Sequence, residues 1–443
     1  MQLLELRTRA DALGFPPTQS SVRHLQAQVL SFTGNHKEAA DLLEEAAIMA
    51  EAAGDFASVV QCSRDLVAYY AHQDPMAPEA EAWFRRGLAG LERLGNPPAP
   101  TANLWLERGA ARLTAGDLEG ARAAGERAES IVRRAKGIDT LLLAKVAATR
   151  GVFMMRAAYF DEALALFTAA ADTYRAELGD ANARLGDMHT NIGGIYFTRG
   201  DLVAAHREYK TAIKISSSLL GPDSTQLADP LYNLALIHMD LGELDEATAV
   251  FERCLDMYIR ERGVDHQDTG SVYEQLAELE LLRGNPHEAG KLFERAYRIL
   301  VTTLGPDHPR LDTALRGLAR TAVAAGQFVV AMQHHETVLR LHTAASGPVS
   351  AGAGAAHRRL ASVALAAGDH TRAVREASRA LEIYETMTEP VEAPRLALAQ
   401  FTMAQVLWES NPSEALRLAT LAYENFGHLK RREDVARWLA ERT

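Results

Sequence analysis

The sequence predicts an all-α solenoid of about ten helix-turn-helix units, and three ladders of small residues predict it. Glycine recurs at Gly54, Gly95, Gly137, Gly179, Gly221, Gly263, Gly305 and Gly347, one step of 41 and then steps of 42. Alanine recurs at Ala39, Ala80, Ala121, Ala163, Ala205, Ala247, Ala289, Ala331, Ala373 and Ala415, in two steps of 41 and then 42 throughout. A third ladder runs Gly109, Gly151, Gly193, Ala235, Ala277, Ala319 and Ala361. A fixed period of this length marks units that bury their apolar faces only by stacking on neighbours.

Each unit reads as two helices. In the segment from Tyr232 to Leu255, apolar residues recur every three or four positions, Gly242 breaks the run, and the periodicity resumes. Ala235 on the first helix and Ala247 on the second let the axes approach, and Phe251 fills the space beside them. A large side chain at Ala247 or Ala289 is expected to overpack the contact by about 1–3 kcal/mol. No alternating strand pattern is found.

The link between units is read from Leu304-Gly-Pro-Asp-His-Pro309. Its Asp-His pair invites a catalytic reading, but Asp265-His266 and Asp223-Ser224 occupy the same phase, so the position is a repeated structural slot. Gly305 suits a left-handed helix stop, Pro306 bars continuation, Asp307 or His308 can cap the next helix, and Pro309 fits its first turn. Pro230 falls inside the predicted first helix of the sixth unit and should kink or restart it. Ser346–Ala355, rich in glycine and alanine, reads as a soft link where the last units pivot. Residues 1–20 read as an N-terminal helix, the second of an incomplete unit ending at Gly14, residues 21–426 as the array, and 427–443 as a capping helix through Val435, Trp438 and Leu439.

Gly200, Ala205, Tyr209 and Ala212, and again Gly284, Ala289, Phe293 and Ala296, resemble the Gly, Ala, Tyr/Phe, Ala pattern of tetratricopeptide repeats. The period exceeds the usual 34 by about one turn per helix, and with LGPDHP it resembles the subfamily of kinesin light chains and many bacterial signalling proteins. The resemblance implies a right-handed superhelix whose first helices line a concave, peptide-binding groove. Departures from the pattern are Pro75 for the second unit's turn glycine, His335 and Ala377 for the aromatic, and a remade tenth turn at Ser410, Asn411 and Pro412. A narrower likeness, in AEAWFRRGLAGLERLG, FTMAQVLWES and VARWLAERT, is to the C-terminal repeat region of myxobacterial serine/threonine kinases. The kinase signatures themselves, a Gly-rich loop with its lysine, HRD and DFG, are absent from these residues. The likeness, with the start in mid-unit, suggests an excised region.

Composition excludes other classes. A net charge of -11 disfavours a general nucleic-acid binder. Cys62 and Cys254 stand apart with no CxxC partner, which points to a reducing compartment. MQLLELRTRADAL carries charges through what would be a signal peptide's apolar core, and no run approaches the length of a membrane span. The expectation is a cytoplasmic chain without membrane insertion. His287-Glu288 and His335-Glu336 lack a zinc protease's second histidine, Gly352-Ala-Gly354 lacks a dinucleotide loop's strand and third glycine, and His334, His335 and His342 lack carboxylate partners. No catalytic residue, metal or cofactor is expected.

Function is sought on the first helices instead. Asn191, Asn233 and Gln275 are 42 apart, beside Tyr232, and the resemblance implies that such amides hydrogen-bond an extended peptide. A solvated polar face accounts for them equally. A charged ladder places Glu274, Arg316 and Arg358 in phase, and Glu278 with Arg320, Arg359 lying next to Arg358. Glu274 is expected to pair with Arg316, and Glu278 with Arg320. Arg358 and Arg359 have no acidic mate, so Arg316, Arg320, Arg358 and Arg359 read as a basic pocket for an acidic peptide, a terminal carboxylate or a phosphorylated segment. Three classes stand open: a binding scaffold, the regulatory part of a kinase, and a histidine-based metalloenzyme.

Overall fold

The computed structural model describes residues 2–32, 35–73, 77–137, 139–387, 393–426 and 431–442. Its contacts divide into two units, Met1–Pro222 and Asp223–Thr443. The first contains α1 (Gln2–Leu13), α2 (Pro16–Phe32), α3 (His36–Ala52), α4 (Phe56–Gln73), α5 (Pro78–Arg93), α6 (Pro98–Thr114), α7 (Leu118–Arg134), α8 (Thr140–Arg156), α9 (Phe160–Leu178), α10 (Ala183–Thr198) and α11 (Leu202–Leu220). The second contains α12 (Ala228–Asp240), α13 (Leu244–Arg262), α14 (Gln267–Leu282), α15 (Pro286–Leu304), α16 (Asp312–Ala324), α17 (Phe328–Ser346), α18 (Ala351–Ala366), α19 (His370–Glu385), α20 (Ala393–Leu407), α21 (Pro412–Asn425) and α22 (Arg431–Ala440). Within each unit consecutive helices pack, α2 on α3 through α10 on α11 and α12 on α13 through α20 on α21. The described residues are therefore an all-α solenoid of ten helix pairs, with no strand among them.

The turn inside a pair closes by a repeated device. Gly200 takes a φ of +77°, the Asp201 amide donates to the Tyr196 carbonyl at 3.0 Å, and the Gly200 amide donates to Phe197 at 2.9 Å. This double bond set satisfies carbonyls left open at the helix end. Asp201 then caps the following helix, accepting from the Ala204 amide at 3.0 Å. The same phase carries Ala158 at a φ of +62°, an alanine in the left-handed region. Pro75 lies outside the described residues, and the tenth turn closes through Asn411, which accepts from the Glu414 amide at 3.3 Å.

Between pairs the glycine differs from the expectation. Gly305 is not a left-handed helical stop: its φ of +88° and ψ of 162° are extended, in a region essentially reserved for glycine. The extended form carries the chain away at once, and His308 caps the next segment by accepting from the Arg310 amide at 3.1 Å. Pro309 opens a 3₁₀ turn, Pro309–Leu311, before α16 begins. Asp307 instead pairs with Arg340. In the sixth pair a 3₁₀ turn at Thr225–Leu227 precedes α12, so Pro230 falls in the first turn, where its missing N–H costs nothing. The helix restarts rather than kinks.

Small residues are where rings arrive. A Cβ added at Gly151 would lie 2.7 Å from the Phe167 ring, and one at Gly317 2.3 Å from Phe293. Ala235, Ala247 and Phe251 are all buried. The soft-link reading of Ser346–Ala355 is corrected: α18 begins at Ala351, and Cβ atoms at Gly352 and Gly354 would meet His342 at 2.3 Å and Tyr384 at 2.8 Å. These glycines are required by close packing. At the end of the second unit α22 buries Val435 against Leu418, Ala422 and Phe426, and Trp438 meets Phe401 and Trp408 edge to face.

Candidate functional site

The first helices of the eighth and ninth pairs build the site. Positions 316 and 320 lie one turn apart on α16, and 358 and 359 on α18, so the 42-residue register brings four arginines to one cavity of about 520 Å³. Arg316, Arg320, Arg358 and Arg359 line it, with Ala319, Val323, Val363 and Ala366 as apolar wall, and His335 of α17 reaching it from the pair's second helix.

Charge in the cavity is half balanced. Arg320 donates to both Glu278 oxygens at 2.6 and 2.8 Å, as the ladder predicts. The Glu274–Arg316 pairing is not formed. Glu274, with a fully buried side chain, is taken by Arg310 at 2.6 and 3.1 Å, because the 3₁₀ turn folds Arg310 back over α14. Arg316 turns to Asp312 on its own helix, Nε to Oδ1 at 3.1 Å, and neither atom makes a hydrogen bond. Arg358 and Arg359 have no carboxylate within ion-pair distance among the described residues. Burial, then Arg316 and Arg358, lower Arg359 to about 10, and Arg358 is lowered by burial with Arg431 adding to it. His335, 5% exposed, is brought down to about 3 by burial first and then by Arg359, and its buried Nδ1 has no partner.

A cavity of about 450 Å³ in the first unit shows the contrast. There Arg108 and Arg112 face Glu81 at 3.2 and 3.3 Å, and Arg112 also meets Asp117 at 3.4 Å. That cavity neutralises itself; the arginine cavity of the second unit does not.

The amide ladder is placed in part. Asn233 of α12 and Gln275 of α14 are half-buried in the second unit, and Asn191 of α10 is half-buried in the first. Tyr232 packs edge to face on Phe251, its ring centroid 5.4 Å away, and its hydroxyl is pushed up to about 12 by burial and then by Glu274, with Gln275 as hydrogen-bond partner. Of the histidine cluster, His335 lines the cavity and His342 lies 3.7 Å from Asp312. Among the described residues no three His, Cys, Asp or Glu side chains gather as a metal site would require, and no helix is long and apolar enough to cross a membrane.

Comparison with known proteins assigns the repeats. Models of the tetratricopeptide repeat match residues 226–300, 268–344 and 316–387. These are tetratricopeptide repeats. The arginine cavity lies wholly within the matched tetratricopeptide segment. Among solved structures, the apo form of RapI aligns at 12% identity and a TM-score of 0.57, covering 86% of this chain and 98% of that one. A signal-transduction ATPase with numerous domains and a tetratricopeptide repeat sensor, from Pyrococcus horikoshii, aligns at 12% identity and a TM-score of 0.52, with 83% and 56% covered. A Podosopora anserina chain described as kinesin light chain, with nearly identical TPR-like repeats, aligns at 21% identity and a TM-score of 0.41, with 47% and 98% covered. The first two show the fold. No curated protein matches the sequence. The tetratricopeptide fold is typically a non-catalytic framework for protein–protein contact.

His335 and Arg310 carry roles that residue types alone did not reveal. The signal for His335 was its phase with Phe293, which put a polar ring in an apolar slot. No sequence signal marked Arg310, since its reach depends on the 3₁₀ turn.

Proposed function

We propose that this chain is an interaction scaffold that docks an anionic segment of a protein partner at Arg316, Arg320, Arg358 and Arg359. The single observation behind this reading is the cavity of about 520 Å³ in which four arginines converge while two lack acidic partners among the described residues. A cavity that leaves cations uncompensated in an acidic protein favours an incoming anion. In this reading Tyr232, Asn233, Gln275 and, in the first unit, Asn191 offer amide and hydroxyl groups to the backbone of an extended peptide. The setting we favour is bacterial cytoplasmic signalling, as regulatory part of a serine/threonine kinase or as a stand-alone scaffold. Whether the coding frame upstream contains a Gly-rich loop, HRD and DFG decides between the two.

The test compares immobilised wild type with the R316E/R358E variant at low and high salt. A partner retained by the wild type, identified and purified, should rebind with a salt-dependent affinity and fail to bind the variant, whose circular dichroism melt shows a folded array. A partner that binds both proteins with the same salt dependence removes the cavity from the account.

A further inference from the structure

The arginine cavity offers more positive charge than one carboxylate answers. Glu278 balances Arg320 and Asp312 balances Arg316, which leaves Arg358 and Arg359 as two adjacent unpaired guanidinium groups on one turn of α18. Asp312 acts on Arg359 from beyond ion-pair distance, so the deficit is not made up from α16. Beside these arginines the cavity receives one ring from α17. His335 is buried and lines the cavity, yet its Nδ1 has no hydrogen-bond partner. A buried polar atom left unmatched is costly and rare in native structures. The remaining wall is apolar, formed by Ala319, Val323, Ala324, Val363 and Ala366.

We propose that the cavity takes a phosphate monoester dianion carried on an apolar stem, a phosphorylated side chain of the docked partner. The inference rests on the anionic-docking reading above and narrows its chemistry. A phosphate monoester carries about -1.5 to -2 at neutral pH and three strong acceptor oxygens, which matches two uncompensated guanidinium forks. A carboxylate brings a single charge and leaves one fork unanswered. The apolar wall then receives the carbon stem, which inorganic phosphate does not supply.

The test is calorimetric titration of the full chain at low ionic strength with phenyl phosphate, phenyl sulfate, benzoate and inorganic phosphate. Phenyl sulfate keeps the shape of phenyl phosphate and removes one charge. The expected result is phenyl phosphate bound about tenfold or more tightly than the other three, a gap of about 1.4 kcal/mol. R358Q/R359Q should lose that binding at least about tenfold with no fall in its thermal midpoint, while R108Q in the balanced cavity of the first unit should keep it. A phosphorylated peptide should then compete with phenyl phosphate, and its unphosphorylated form should not. Phenyl sulfate binding as tightly as phenyl phosphate overturns the dianion and leaves anionic docking intact. Inorganic phosphate binding as tightly overturns the carried stem. Binding unchanged in R358Q/R359Q removes the cavity from both readings. Silence from all four probes refutes the phosphate inference alone, because loss of a purified partner on R316E/R358E still upholds docking.

Discussion

Glu274 and Arg310 form an ion pair whose carboxylate is wholly buried, and Arg310 reaches it with two nitrogens, at 2.6 and 3.1 Å. Burial raises the Glu274 pKa and Arg310 opposes that rise. Arg310→Gln should destabilise the fold by about 2–3 kcal/mol. This is somewhat less than a fully buried pair loses, since part of the Arg310 side chain meets solvent. Adding Glu274→Gln should recover much of the loss, and urea unfolding of the four-member cycle measures the coupling. Strictly additive losses would mean that the pair contributes nothing as a pair.

His335 gives a pH dependence whose sign is fixed by its environment. Buried first of all, and then facing Arg359, His334, Arg316 and Arg358, the imidazole stays neutral in the fold down to about 3, against 6.5 for the free group. The unfolded chain therefore binds the extra proton first. The stability His335 contributes is full above about pH 6.5 and is lost as pH falls toward its folded value, at up to about 1.4 kcal/mol per pH unit. His335→Phe, which restores the aromatic found in phase at Phe293, should flatten the decline in unfolding free energy between pH 7 and 5.5. An equal decline in both proteins would place the acid sensitivity elsewhere.

Ala158 occupies a turn position where the other described pairs from the third to the ninth carry glycine, and its φ is +62°. Ala158→Gly relieves a left-handed alanine but loosens the unfolded chain, a net gain of about 0.5–1 kcal/mol. A rise in urea midpoint with unchanged slope checks it; a fall would show that the turn is unstrained.

Gly305 and Gly284 separate two kinds of positive-φ glycine. Asparagine tolerates the left-handed turn of Gly284, whose neighbour Asn285 donates to Glu280 at 2.8 Å, but not the extended geometry of Gly305. Gly305→Asn should cost about 1–3 kcal/mol and Gly284→Asn under about 1 kcal/mol. Thermal midpoints of the two variants rank them, and a reversed order contradicts the assignment.

These comparisons show what the sequence carried. Period and phase located the helices, the turns and the meeting of Arg316, Arg320, Arg358 and Arg359, because side chains 42 residues apart fall on equivalent faces of neighbouring pairs. Phase failed where the chain leaves the helical register. Arg310 sits in a 3₁₀ turn absent from the periodic pattern, so the partner of Glu274 was misassigned to Arg316. The apparent softness at Gly352 and Gly354 was misread because composition cannot distinguish a flexible glycine from one pressed against His342 or Tyr384.

The ring that plugs each pair shrinks along the second unit, from Phe251 and Phe293 to His335 and then Ala377. In a stack held only by nearest neighbours, the pair with the least to bury opens first. Amide hydrogens of α18 and α19 should therefore exchange sooner than those of α14 and α15. The pairs flanking the arginine cavity would then lie at the yielding end of the stability gradient, where an occupant gains most by holding them shut.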